Sequence, residues 1–174
     1  MPEKKFYIDG MCFFITLKNL RNTPKVEFDI IPIIDGLASI DWVKHEPGAY
    51  SPSLPDSDEK PWYMHPNQED NLIVFNGKRF VDLYTKNHGQ PERFEVTPDY
   101  VKHGDKFVYE GRCLFGWPEC VFHRVHSPVG SISTNFAKHS EGFDIKTNFN
   151  IYNLNTESGE YEVLRQGHED QGVD

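Results

Sequence analysis

Cysteine is scarce in this chain of 174 residues: Cys12, Cys113 and Cys120 are the whole supply. An odd number with no C-x-x-C pair disfavours a disulfide framework and a structural zinc knuckle. No N-x-S/T acceptor occurs either, and these absences together point to a reducing compartment, most simply the cytoplasm. Long apolar runs are missing. None approaches the roughly 20 residues that a membrane-spanning helix needs, and the start, MPEKKFYIDG, lacks the apolar stretch of a secretory signal. Positive charge is in deficit, with 18 Lys+Arg against 27 Asp+Glu and a net charge of −9. That balance argues against nucleic acid and against an anionic membrane surface as partners. Also absent is any apolar period of 3.6 sustained over three turns, so no long amphipathic helix is expected.

What is present is aromatic and β-forming. Aromatic residues make up 14% of the chain and hydrophobic residues 37%, enough to pack a core and to exclude disorder of the whole chain. The length fits one domain over residues 1–165, followed by a polar, loose tail over 166–174. Short runs rich in Ile, Val, Phe and Tyr alternate with Gly, Pro and Asn, the pattern of an all-β sandwich or barrel. Strands are predicted at Met11–Leu17, Val26–Ile34, Ala38–Val43, Asn71–Phe75, Arg79–Tyr84, Arg93–Val96 and Lys106–Tyr109. Further strands follow at Val121–Val125, Ser131–Phe136, Asn148–Leu154 and Glu160–Leu164. Asn76-Gly77 reads as a type I′ hairpin turn because both residues tolerate positive φ. Asp35-Gly36 and Ser158-Gly159 read as turns of the same kind. Thr97-Pro98-Asp99 fits the start of one helical turn, and residues 51–61 fit a surface loop.

The segment Trp62–Gly77 holds the most chemistry. His65 is followed five residues on by Asp70, and Asp70 seven residues on by Gly77. Alternate residues of a strand share a face, so Tyr63 and His65 point the same way, and a bend over 66–69 brings Asp70 back beside them. In Val121–Val125, His123 lies in an apolar row with Val121 and Val125, while Phe122, Arg124 and His126 face away. An imidazole so placed needs a partner or a metal, and imidazoles converging with a carboxylate inside a small barrel commonly hold a divalent ion. Satisfied barrel histidines and an Asp70 that caps the following turn are the plainer readings of the same residues.

These two segments resemble the motifs of the cupin superfamily, G-x5-H-x-H-x3-4-E-x6-G and G-x5-P-x2-3-G-x-H-x3-N. His65 falls on the second His, Asp70 on the Glu position and Gly77 on the closing Gly. Pro118 and His123 fall on the Pro and His of the second motif. The match covers residues 62–126. It departs from the pattern at Tyr63, which stands where the first His belongs, at Asp70 in place of Glu, in a Gly111–Pro118 spacing one residue longer, and at Ser127 where Asn is common.

The resemblance implies a double-stranded β-helix (jelly-roll) cupin barrel with additional N-terminal strands. It implies a divalent metal (Fe, Mn, Ni or Zn) on His65, Asp70 and His123, with Tyr63 or Glu69 as acid or base, and a small polar metabolite in the barrel. An oxygenase, isomerase or lyase all fit the fold. The alternatives are a metal-free sugar or keto-acid isomerase using His65 with Tyr63 or Tyr84, and a binding module without turnover. A homodimer built through the N-terminal strands is the expected assembly. Gln68 is a candidate pocket wall, and Glu69 faces opposite to Asp70. Arg124 and His126 are expected on the outer face. Trp62, Trp117, Phe75 and Phe115 are expected in the core or at its rim, and Cys113 and Cys120 as small buried hydrophobes. His45, His88, His103, His139 and His168 are expected at the surface or in loops.

Overall fold

Strands with apolar side chains at alternate positions need a second layer to pack against. The computed structural model, which describes residues 3–54 and 57–170, supplies it as two antiparallel sheets. The first sheet has the spatial order β1 (Lys4–Ile8), β2 (Cys12–Thr16), β13 (Cys113–Trp117), β8 (Gln68–Gly77), β15 (Ser131–His139) and β5 (Leu37–His45). The second runs β12 (Lys106–Glu110), β11 (Tyr100–His103), β10 (Glu92–Val96), β9 (Arg79–Tyr84), β14 (Phe122–Ser127), β7 (Trp62–Met64), β16 (Ile151–Leu154) and β17 (Tyr161–Arg165). The short β6 (Ala49–Ser51) pairs with β14, and β3 (Lys18–Thr23) pairs with β4 (Val26–Ile30) as a separate ribbon. One helical turn, α1 (Ile145–Asn148), precedes β16, and a 3-10 turn at Gly167–Glu169 follows β17.

The main core lies between the sheets. Phe14, Leu72, Val74 and Phe115 from the first meet Val81, Leu83, Phe94 and Val125 from the second. The outer face of the first sheet is closed by Ile34 on Phe13, Ile15, Ile73 and Leu114. The outer face of the second carries an aromatic cluster that includes Trp62, Tyr84, Phe122 and Tyr152. The all-β, two-layer expectation therefore holds. The predicted strand over Met11–Leu17 joins the first sheet within this chain, between β1 and β13.

Three turn readings change. Asn76-Gly77 is not a hairpin: β8 pairs with β13 and β15, while β9 pairs with β10 and β14, so the chain crosses from one sheet to the other there. Gly77 serves the corner in two ways. Its φ is +77°, and a Cβ on it would sit 2.1 Å from the Gly130 carbonyl oxygen. Asp35-Gly36 is a turn, but it leads into β5, which pairs with β15 and not with β4. Thr97-Pro98-Asp99 forms no helix. The Thr97 hydroxyl accepts from the Asp99 and Tyr100 amides and closes a tight β10–β11 connection. Ser158-Gly159 does join a hairpin, β16–β17.

β13 is not among the predicted strands, and its Gly116 interrupts an aromatic run. A Cβ at Gly116 would lie 2.4 Å from the Phe13 ring and 2.9 Å from the Asp70 carbonyl oxygen. Glycine is thus what lets β13 lie flat between β2 and the strand that carries Asp70. Of the polar tail, residues 167–169 form the 3-10 turn, where the buried Gly167 amide donates to Asn150 Oδ1; residues 171–174 lie outside the described residues.

Candidate metal centre

The cavity between the sheets, about 220 Å³, is built by strand alternation. On β8, Gln68, Asp70 and Leu72 point inward, and on β14 His123 and Val125 do the same. Tyr63 of β7 pairs directly with His123, and His65 follows at the end of β7 where the chain turns into β8. His65, Asp70 and His123 are each buried, at 5%, 3% and 5% exposure, and offer ligand atoms that all lie within 4.8 Å of one another.

Their partners fix which atoms converge. His65 Nδ1 lies 2.6 Å from the Asn148 carbonyl and His123 Nδ1 lies 3.2 Å from the Val121 carbonyl. A carbonyl only accepts, so both Nδ1 atoms carry the proton and both Nε2 atoms present a lone pair. Those Nε2 atoms lie 3.7 and 3.9 Å from Asp70 Oδ2, too far for hydrogen bonds. Asp70 Oδ1 is occupied: it accepts from Gln68 Nε2 and from Asn135 Nδ2, both at 2.7 Å. Gln68 is in turn held by Asn148 Nδ2 and His139 Nε2 on its own carbonyl oxygen.

The donor set fits a divalent ion. Two donors each about 2.1 Å from one ion sit no more than about 4.2 Å apart, so both Asp70–His gaps suit a shared ion as they stand. Burial, and then the neighbouring His65, push the His123 imidazole down to about 4, which keeps it neutral and able to ligate. Outer partners that orient each ligand are what such a site requires. Burial, and then the Asp170 carboxylate, raise the Tyr63 phenol above its ordinary value, against a lowering by the Ser51 hydroxyl. Its ring lies 5.7 Å from that of His65 and 5.9 Å from that of His123. Tyr63 is thus a protonated phenol on the cavity wall.

Other expected residues fall elsewhere. Glu69 sits on the outer face of β8, where it pairs with Lys4 and accepts from Asn71 Nδ2, because strand alternation sends it away from Asp70. It is not in the cavity and cannot serve there as acid or base. Tyr84 is buried in the outer aromatic cluster of the second sheet, also away from the cavity. Arg124 faces outward, bonded to Asp82 and the Lys60 carbonyl over the Trp62 ring. His126 stacks on Tyr50 on that same outer face. Trp62, Trp117 and Phe115 are core, but Phe75 is 52% exposed. Cys113 is buried, whereas Cys120 is exposed at a φ of +62°.

His45 is not a surface residue. It lines the cavity at the inner end of β5, and burial followed by the nearby Arg79 charge pushes it down to about 4. His88 and His103 both pair with Glu92. Asn135, Asn148, Asp41 and Arg79 belong to the cavity or its support, and the sequence reading did not single them out. The available signal was on β15, where Ser131, Ser133 and Asn135 alternate with Ile132, Thr134 and Phe136. That is a strand with its polar row turned inward, as the wall of a wet cavity requires.

No protein-family model matches the sequence, and no curated protein is similar to it. Among solved structures, a dTDP sugar isomerase from Desulfovibrio desulfuricans G20 superposes with a TM-score of 0.52 at 12% identity, over 75% of this chain and 80% of that one. The capsular polysaccharide assembling protein CapF from Staphylococcus aureus aligns with a TM-score of 0.41 at 11% identity, over 86% of this chain and 34% of that one, too loosely to bear on the fold. At such identities the isomerase likeness speaks for architecture alone. Taken with the two facing antiparallel sheets and the His-Asp-His group between them, it shows that this chain has the jelly-roll fold of the cupins.

Proposed function

We propose that the protein is a divalent-metal-dependent enzyme acting on a small polar metabolite held between its sheets. One observation carries the reading: two imidazole lone pairs and one carboxylate oxygen converge, unbonded to each other, while every opposite atom of the three groups is hydrogen-bonded. Gaps of 3.7 and 3.9 Å from Asp70 Oδ2 to the two imidazoles leave room for an ion that no direct His–Asp hydrogen bond fills. His65, Asp70 and His123 would hold the ion, which supplies polarisation of a substrate carbonyl, enolate or hydroxyl oxygen.

The remaining steps belong to the chain. Tyr63, protonated at neutral pH and facing the cavity, donates a proton to the substrate. Leu72, Val125 and Phe149 line the cavity and limit the water that reaches it. Unpaired Cys12, Cys113 and Cys120 fit a reducing compartment such as the cytoplasm. Among the described residues no helix is long and apolar enough to cross a membrane.

The test is metal content of untagged protein by inductively coupled plasma mass spectrometry. The reading expects close to one equivalent of Fe, Mn, Ni or Zn per chain, lost in the His65→Ala and His123→Ala variants. Full metal in the double variant would refute the site. Failure of the wild-type chain to take any of the four ions after reconstitution would refute the metal dependence.

A further inference from the structure

A second charged group lines the cavity, and the metal chemistry does not use it. Arg79 is the first residue of β9, two residues after Gly77 at the corner, and is only 4% exposed. Its Nε donates to Ser131 Oγ at 2.8 Å. Its Nη2 is buried with no hydrogen-bond partner, and no carboxylate lies within 4.0 Å of the guanidinium among the described residues. The two acids on the cavity wall are committed elsewhere: Asp41 to Ser39 and Asn135, Asp70 to Gln68 and Asn135. Burial brings Arg79 down to about 10, so it keeps its charge at neutral pH. A buried, unpaired guanidinium is among the most costly groups a fold can carry, and it calls for an anion from outside the chain.

The surrounding groups have the matching polarity. Ser131 Oγ lies 3.0 Å from Ser127 Oγ, which lies 2.9 Å from His45 Nδ1. Ser131 accepts from Arg79, so one hydrogen-bonded chain runs from the guanidinium through both serines to the His45 imidazole. Trp117 Nε1, in the cavity wall nearer Asp70, is another buried donor without a partner. The unpartnered Arg79 Nη2 and Trp117 Nε1 are donors, whereas the free acceptors of the cavity are the His65 and His123 Nε2 atoms and Asp70 Oδ2 of the metal centre.

We propose that Arg79, with His45 beside it, recognises a carboxylate, so that the substrate is a small organic acid whose other end reaches His65, Asp70 and His123. Only that last clause rests on the metal reading; the carboxylate site stands without it. Arg79 lies four residues along β9 from Leu83, the partner of His123, or roughly 13 Å of strand. The long Arg79 side chain and the His-Asp-His group thus enter one cavity from different points along its strands. Its 220 Å³ takes a molecule of a few carbons. One guanidinium edge matches a planar, singly charged carboxylate. A phosphate dianion calls for more positive charge, and Arg79 is the one Lys or Arg among the described residues that line the cavity.

Isothermal titration calorimetry on metal-stripped protein tests this without the metal. The probes are acetate, succinate and glutarate, their neutral amides, and inorganic phosphate. At least one carboxylate should bind and its amide should not. Arg79→Met should weaken that binding about 100-fold, and Arg79→Lys, which keeps the charge but loses the fork, should fall between. Arg79→Met should also melt no lower than wild type, because it removes an unpaired buried charge.

The proposal is overturned if none of the carboxylates binds at millimolar concentration, if Arg79→Met binds as well as wild type, or if Arg79→Met unfolds the protein, which would make Arg79 structural. Phosphate binding tighter than every carboxylate would overturn it in favour of a phosphorylated ligand. Metal content measured on the same samples separates the two readings: Arg79→Met should keep its metal, and a chain that never binds metal still reports on the carboxylate site.

Discussion

Replacing Asn135 with alanine should loosen the metal without touching a ligand. Asp70 Oδ1 rests on two N–H donors at 2.7 Å, from Gln68 and Asn135. Each hydrogen bond to an ionised carboxylate contributes about 1.5–3 kcal/mol. Asn135 lines the cavity, so water can enter and recover part of that loss. A net cost of about 1.5–2 kcal/mol remains, or metal affinity lower by about 10–30-fold. That falls within the 10–100-fold typical of lost outer partners. Asn135 Oδ1 also accepts the Asn71 amide, so the variant should be less stable without metal by about 1 kcal/mol. Urea unfolding of the stripped protein measures that cost separately. Competition for Zn(II) and Mn(II) against a chromophoric chelator then reports the metal term. Affinity within about twofold of wild type would refute the claim that an oriented, ionised Asp70 holds the ion.

Three further outcomes follow from the same geometry. Gly77→Ala should cost well over the ~1–2 kcal/mol of a left-handed alanine, because its Cβ would meet the Gly130 carbonyl; Gly111→Ala, at a φ of +95° in open space, should cost only that much. Equal costs in denaturant melts would sink the argument for the sheet-crossing corner. Glu69→Gln should leave metal content unchanged, since Glu69 faces outward toward Lys4, and loss of metal would place it in the site after all. Metal-free protein should lose stability as pH falls from about 6.5 to about 4, because the unfolded chain takes up the His123 proton that the folded chain refuses. Stability from this group is complete above its unfolded value, and the whole loss is at most about 3 kcal/mol. Thermal melts in chelator across that range should show a slope that flattens in His123→Gln, and an unchanged slope would refute the assignment.

What the sequence made legible was one face of each strand. Period-two alternation placed His123 inward with Val125 and sent Arg124 and His126 outward, because that choice depends only on neighbouring residues. The same rule turns Glu69 away from Asp70, so the expectation of Glu69 as acid or base went against alternation and fails in the structure. Pairing was less accessible. Asn76-Gly77 has hairpin chemistry, but whether the following strand folds back or crosses to the other sheet is decided by contact with Gly130, more than fifty residues on. Arg79 and Asn135 were missed for a related reason. Each sits in a strand that reads as ordinary half-buried sheet, whose inward face is usually apolar. In this fold the inward face divides, greasy where Val81 and Leu83 meet the core and polar where Arg79, His45, Ser131 and Asn135 surround the cavity. A polar row turned inward on β15, with an arginine starting β9 and given no acid to meet, is the trace that a ligand site leaves in a sequence. The acceptor that Arg79 lacks belongs, on this proposal, to the ligand and not to the chain.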